Sequence, residues 1–76
     1  MVEVEMIGRA LKLGDKLSNG AVVMAYRDVS FDRRIVLALF RRTEYVTWRL
    51  DYDNNPWGGH YFEGDLVAAA MDFLSR

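Results

Sequence analysis

The chain has 76 residues, a formal net charge of −1 and no cysteine. That length suits one domain that buries about 60% of its unfolded surface, and the lack of cysteine excludes disulfide staples and thiolate metal sites. Ten Lys and Arg against eleven Asp and Glu, dispersed along the chain, exclude the strong positive field typical of proteins that hold nucleic acid or anionic membranes.

Hydrophobic residues make up 51% of the chain, which argues against disorder. A core this small supplies about 3–5 kcal/mol on its own. Surplus apolar surface therefore favours a homodimer over a monomer. The opening residues carry Glu3 and Glu5 and lack the basic start of a signal peptide. The longest apolar run, 35–40, is too short to cross a bilayer. A cytoplasmic location is expected.

In chain order, Val2, Val4 and Met6 alternate with Glu3 and Glu5, the pattern of a short strand. Residues 10–13 read as the start of a second strand, ended by Gly14 and Asp15. Ser18, Asn19 and Gly20 form the clearest turn signal, since Asn and Gly tolerate positive φ. Residues 21–26 predict a strand with two partly buried faces, 28–33 a polar break, and 35–40, a continuous apolar run, a further strand. Residues 41–44 form a charged turn.

Residues 45–52 alternate most regularly. Val46, Trp48, Leu50 and Tyr52 share one face, and Tyr45, Thr47, Arg49 and Asp51 share the other. Residues 53–56 read as a turn, and Pro56 is excluded from a central strand. Trp57 falls in a loop, Gly58 and Gly59 give that loop freedom, and 60–62 forms a short strand.

Residues 65–75 predict a helix with Asp65 as its N-cap. Leu66, Val67, Ala70, Met71, Phe73 and Leu74 lie on one broad stripe that should cover the apolar sheet face of Val46, Trp48 and Leu50. The fold class is thus α+β: a small antiparallel sheet of four to five strands, flat or curled, with one C-terminal helix packed on it. Sequential hairpins are the default order, and 1–76 is read as a single domain.

Few residues form a chemical constellation. The run from Asp51 to Asn55 begins like a calcium loop, but Pro56 and Phe62 stand where such a loop needs glycine and glutamate, so it reads as an Asx-rich turn. His60 is the lone histidine and has no second imidazole or thiolate with which to share a metal. It could serve as a general base beside Asp51, Asp53 or Glu63. No phosphate loop is present. No metal or cofactor is expected, and no catalytic set is assembled.

The arginine pairs Arg33–Arg34 and Arg41–Arg42 flank the apolar strand. Together with Tyr45, Arg49 and Trp57 they supply the Arg-and-aromatic chemistry common at protein interfaces. The leading expectation is a non-enzymatic protein that binds another protein through these residues. The alternatives are a nucleic-acid-binding accessory protein and a small enzyme or enzyme subunit centred on His60. Nucleic acid is disfavoured by the charge balance.

The C-terminal half, EYVTWRLD at 44–51, an Asp/Asn turn, GHYF at 59–62 and a helix ending DFLSR at 72–76, resembles small uncharacterised proteins encoded by bacteriophages. The stretch GDKLSNGAVV at 14–23 looks like their opening hairpin. The resemblance covers about two-thirds of the chain. It implies a bacterial host cytoplasm and a host or phage protein as partner, and it carries no assigned activity.

Overall fold

The computed structural model describes residues 10–30 and 33–76. Four strands, β1 (Val22–Ser30), β2 (Arg33–Phe40), β3 (Glu44–Leu50) and β4 (Pro56–Tyr61), precede one helix, α1 (Leu66–Ser75). The sheet is an antiparallel meander in sequence order, with β1 and β4 at its open edges. The expected α+β architecture with a C-terminal helix is therefore present, and the sheet does not close.

Several boundaries differ from the sequence reading. The strand expected at Val2, Val4 and Met6 lies outside the described residues. Residues 10–13 form no strand; a single bridge between Lys16 and Val22 joins this segment to the sheet edge. β1 runs on to Ser30 through the expected polar break. Its polar residues are satisfied there: Asp28 accepts from Arg34 Nε at 2.6 Å, directly across the ladder. Trp57, Gly58 and Gly59 belong to β4, not to a loop.

Those glycines have a packing reason. Thr47 pairs with His60 and Arg49 with Trp57, so Gly58 and Gly59 together oppose Trp48 in a β-bulge. Gly58 takes φ +64°. A Cβ on Gly59 would stand 2.5 Å from Trp48 Nε1, so only glycine lets this edge strand cross the indole. Pro56 opens the same edge strand, where a missing N–H is tolerated.

The side of the sheet taken by the helix is the largest correction. The Val46, Trp48 and Leu50 face is covered not by α1 but by the segment before β1. Leu17 and Ala21 join Val23, Val36, Ala38, Val46, Trp48 and Leu50 in one core, with Leu11, Tyr26 and Phe40 at its border. Phe40 and Tyr61 both meet the Trp48 indole edge-on. The helix packs on the opposite face, where Ala69 and Phe73 meet Ile35 and Leu37, bordered by Ala25, Tyr45 and Phe62. The continuous apolar run of β2 makes this possible, because its alternate residues feed both cores.

Both helix ends are tied. Asp65 caps the N-terminus by accepting from Ala68 N at 3.0 Å. At the other end Arg27, from β1, donates to Phe73 O from Nε and Nη2 at 3.1 Å each, and to Leu74 O at 3.3 Å. Its cation thus occupies the negative end of the helix dipole, a place usually filled from the helix itself.

Candidate functional site

The face beneath α1 carries a polar network beside its apolar core. Thr47 sits mid-strand and fully buried between the helix and β4. Its hydroxyl donates to Asp72 Oδ2 at 2.6 Å and accepts from Arg76 Nη1 at 3.0 Å. Arg76 also donates to Thr47 O at 3.0 Å and to Gly58 O at 2.7 Å. Its Nε is buried and has no hydrogen-bond partner among the described residues. Burial pulls the Arg76 pKa down, and the nearby Asp72 carboxylate opposes that pull.

His60 Nδ1 lies 2.9 Å from the same Asp72 Oδ2. Burial pushes the Asp72 carboxyl up, but the Thr47 and His60 hydrogen bonds, with the charges of His60 and Arg76, outweigh it and leave the pKa lowered. The carboxylate partner of His60 is therefore Asp72, not Asp51, Asp53 or Glu63. The Asp51 carboxylate is committed elsewhere. It accepts from Asn55 N and Asp53 N, both at 2.9 Å, and the Asn55 bond is the main cause holding its pKa down.

A histidine oriented by a carboxylate is the start of a general base. Here the hydroxyl that shares the Asp72 carboxylate with it, Thr47, is buried and already engaged in two hydrogen bonds. Two depressions in the surface lie elsewhere. One, of about 300 Å³, sits between residues 15–18 and the turn at 53–55; the other, of about 220 Å³, lies beside the Arg41–Arg42 turn. Neither is lined by His60 or Asp72.

The residues singled out from sequence are dispersed. Arg49 and Trp57 are cross-strand partners, with the Arg49 guanidinium 5.3 Å from the indole centroid, and Trp57 is 50% exposed. Tyr45 is half-buried against the helix core, so it borders the fold more than it offers a surface. Arg33 is exposed at the start of β2. Arg34 is only 6% exposed: it stacks 4.8 Å from the Tyr26 ring centroid and bonds Asp28 and Asn54. Arg34 is thus part of the fold. Arg41 and Arg42 are exposed at the far end of the strand. The sheet brings Arg49 and Trp57 together and leaves the arginine pairs apart.

The helix holds what sequence reasoning placed wrongly. Leu66, Val67, Met71 and Leu74 are 41%, 70%, 66% and 71% exposed. Only Ala69 and Phe73 of α1 are buried. The wide apolar stripe therefore faces outward for most of its width, and the expectation that it belongs to the core is overturned. A signal was present: Asp72 and Ser75 are the only polar residues from 66 to 75. A helix apolar nearly all round needs cover on more than one side, and one small sheet covers only one.

Fold and surface together define a small open-sheet α+β domain with an apolar outer helix. Among the described residues no helix is long and apolar enough to cross a membrane, and no three metal-binding side chains cluster. No protein family, curated protein or solved structure matches the chain.

Proposed function

We propose that the protein is a non-enzymatic binding module that lays the outer face of α1 into an apolar groove on a partner protein. The observation that carries this reading is the exposure of Leu66, Val67, Met71 and Leu74 on one helix. Contiguous apolar surface of this kind marks interaction sites, and residues at i, i+4 and i+7 are the usual anchors of a helix in a groove. The face is uncharged. Asp65 caps the helix, while Asp72 and Arg76 are turned into the Thr47 network. A partner groove without charge is the complement.

Photo-crosslinking from position 71 tests the reading, with position 12, on the opposite side of the sheet, as control. Position 71 should yield a discrete adduct that disappears when Val67→Glu is added. Equal adducts from both positions, or persistence with Val67→Glu, would overturn the proposal. An adduct of twice the chain mass would identify a second copy as the occupant. In the bacteriophage setting that the resemblance implies, the partner is a host or phage protein in the bacterial cytoplasm.

A second reading rests on the exposed Arg49–Trp57 pair, whose stacked guanidinium and indole are interface hot-spot chemistry. Trp57→Ala and Arg49→Ala in the same capture discriminate between the two. Loss of the partner with these variants but not with Val67→Glu would move the docking surface to the β4 edge.

A further inference from the structure

The Arg41–Arg42 turn supports a second site, independent of the helix face. Arg41 and Arg42 both lie in the left-handed region, at φ 55° and 70°. Two consecutive positive-φ residues in a hairpin turn are normally Asn-Gly, because a Cβ is strained there. Two arginines are an unfavourable choice for the backbone. Strain of this kind concentrates at functional positions.

What the turn builds is a cationic cup. A depression of about 220 Å³ is lined by Lys16, Gly20, Val22, Leu39, Arg41 and Arg42. Half of these residues are cations, and none is acidic. The Lys16–Val22 bridge sets the lysine across the sheet end from the turn. Among the described residues no carboxylate pairs with Lys16, Arg41 or Arg42; Arg41 stacks 5.0 Å from the Phe40 centroid, an arrangement that leaves its N–H groups able to donate. Val22 and Leu39 add apolar floor.

We infer that this cup binds a single phosphate group borne on a small apolar body. Guanidinium forks match phosphate oxygens in paired hydrogen bonds, and lysine adds a point charge. The cup is smaller than the roughly 300–1,000 Å³ of drug-sized pockets, which suits a phosphomonoester better than a larger ligand.

The test is an amide-shift titration of the full chain by NMR, with inorganic phosphate in one arm and phenyl phosphate in the other, at constant ionic strength in sodium chloride. Phenyl phosphate should saturate shifts at Gly20, Val22, Arg41 and Arg42 and bind more tightly than inorganic phosphate. Lys16→Ala, at an exposed position, should weaken binding about tenfold, the size of one lost charge-assisted hydrogen bond. Arg41→Asn with Arg42→Gly should abolish binding while raising the melting temperature, a pairing that a merely structural turn would not show. Equal affinity for the two phosphates would remove the apolar body from the ligand and so overturn that part of the inference. Unsaturable shifts, or affinity unchanged in the variants, would overturn the site. Tighter binding of a single-stranded oligonucleotide, with shifts spreading beyond the cup, would replace the small ligand by nucleic acid.

Discussion

Thr47 shows how one residue decides what a sheet face can hold. A threonine in a strand is ordinary by propensity. Buried here, its hydroxyl relays between Arg76 and Asp72 and links the two charges in one network, in which the Arg76 Nε alone stays without a partner among the described residues. Thr47→Val should cost about 1–3 kcal/mol, the penalty for leaving buried polar partners unmade. Asp72 adds a pH signature. Its folded pKa is depressed below 3.8, so the unfolded chain binds its proton first on acidification. The stabilisation is complete above that value and is lost as pH falls through the lower folded value. Urea titrations from neutral to strongly acidic pH should show the native chain losing stability across that window relative to Asp72→Asn, which lacks the titration. Gly59 is the steric counterpart. Gly59→Ala should destabilise by about 1–3 kcal/mol, because the rigid buried Trp48 ring cannot yield to the new methyl group. Gly64→Ala, with open space around it, should stay within about 0.5 kcal/mol. None of these roles was legible in the sequence. Each depends on a partner distant along the chain: Thr47 with Asp72, Gly59 with Trp48.

At the scale of elements, local signals were legible where local chemistry decides. The alternation from Tyr45 to Tyr52 marks β3, although the strand ends at Leu50 and leaves Tyr52 exposed in the turn, and Asp65 marks the helix start. The Ser18–Asn19–Gly20 turn forms as expected, with Leu17 N donating to Ala21 O. The sidedness of α1 was not legible, because β2 offers apolar residues to both faces. Leu17 and Ala21 take one of them. That leaves α1 the face with Leu37 and Thr47, where Ala69 allows close approach. The Arg41–Arg42 turn was legible as a turn but not as a strained one. Exchange to Asn-Gly should stabilise the fold. Relief of two left-handed residues is worth about 1–2 kcal/mol each. The exposed cation–π stacking of Arg41 on Phe40, which the exchange removes, offsets only about 0.5–1 kcal/mol of that. Equilibrium unfolding should show the gain.

For the whole molecule, the exposed face of α1 and the buried network beneath it separate solubility from stability. Val67→Glu and Met71→Glu remove apolar surface without touching Ala69, Phe73 or Asp72. Their stability should stay within about 0.5 kcal/mol of the native chain. Light scattering at high concentration should show any self-association reduced in both. Unchanged association would put the interface between copies elsewhere.

The meander has a kinetic consequence. Each strand pairs with the one before it across a short connection, so the sheet can zip from local pairings with little loop-closure entropy. The helix is different. Its tie to β1 through Arg27 and Phe73 spans 46 residues, and that tie needs β1 already in place in the sheet. Docking should therefore follow the rate-limiting barrier. In stopped-flow experiments Phe73→Leu should speed unfolding and leave folding nearly unchanged. Val46→Ala, at the centre of the sheet core, should slow folding instead. On this ordering the helix is the first element to leave as well as the last to arrive. A partner that grips its outer face would then slow the departure of the whole chain from its native state.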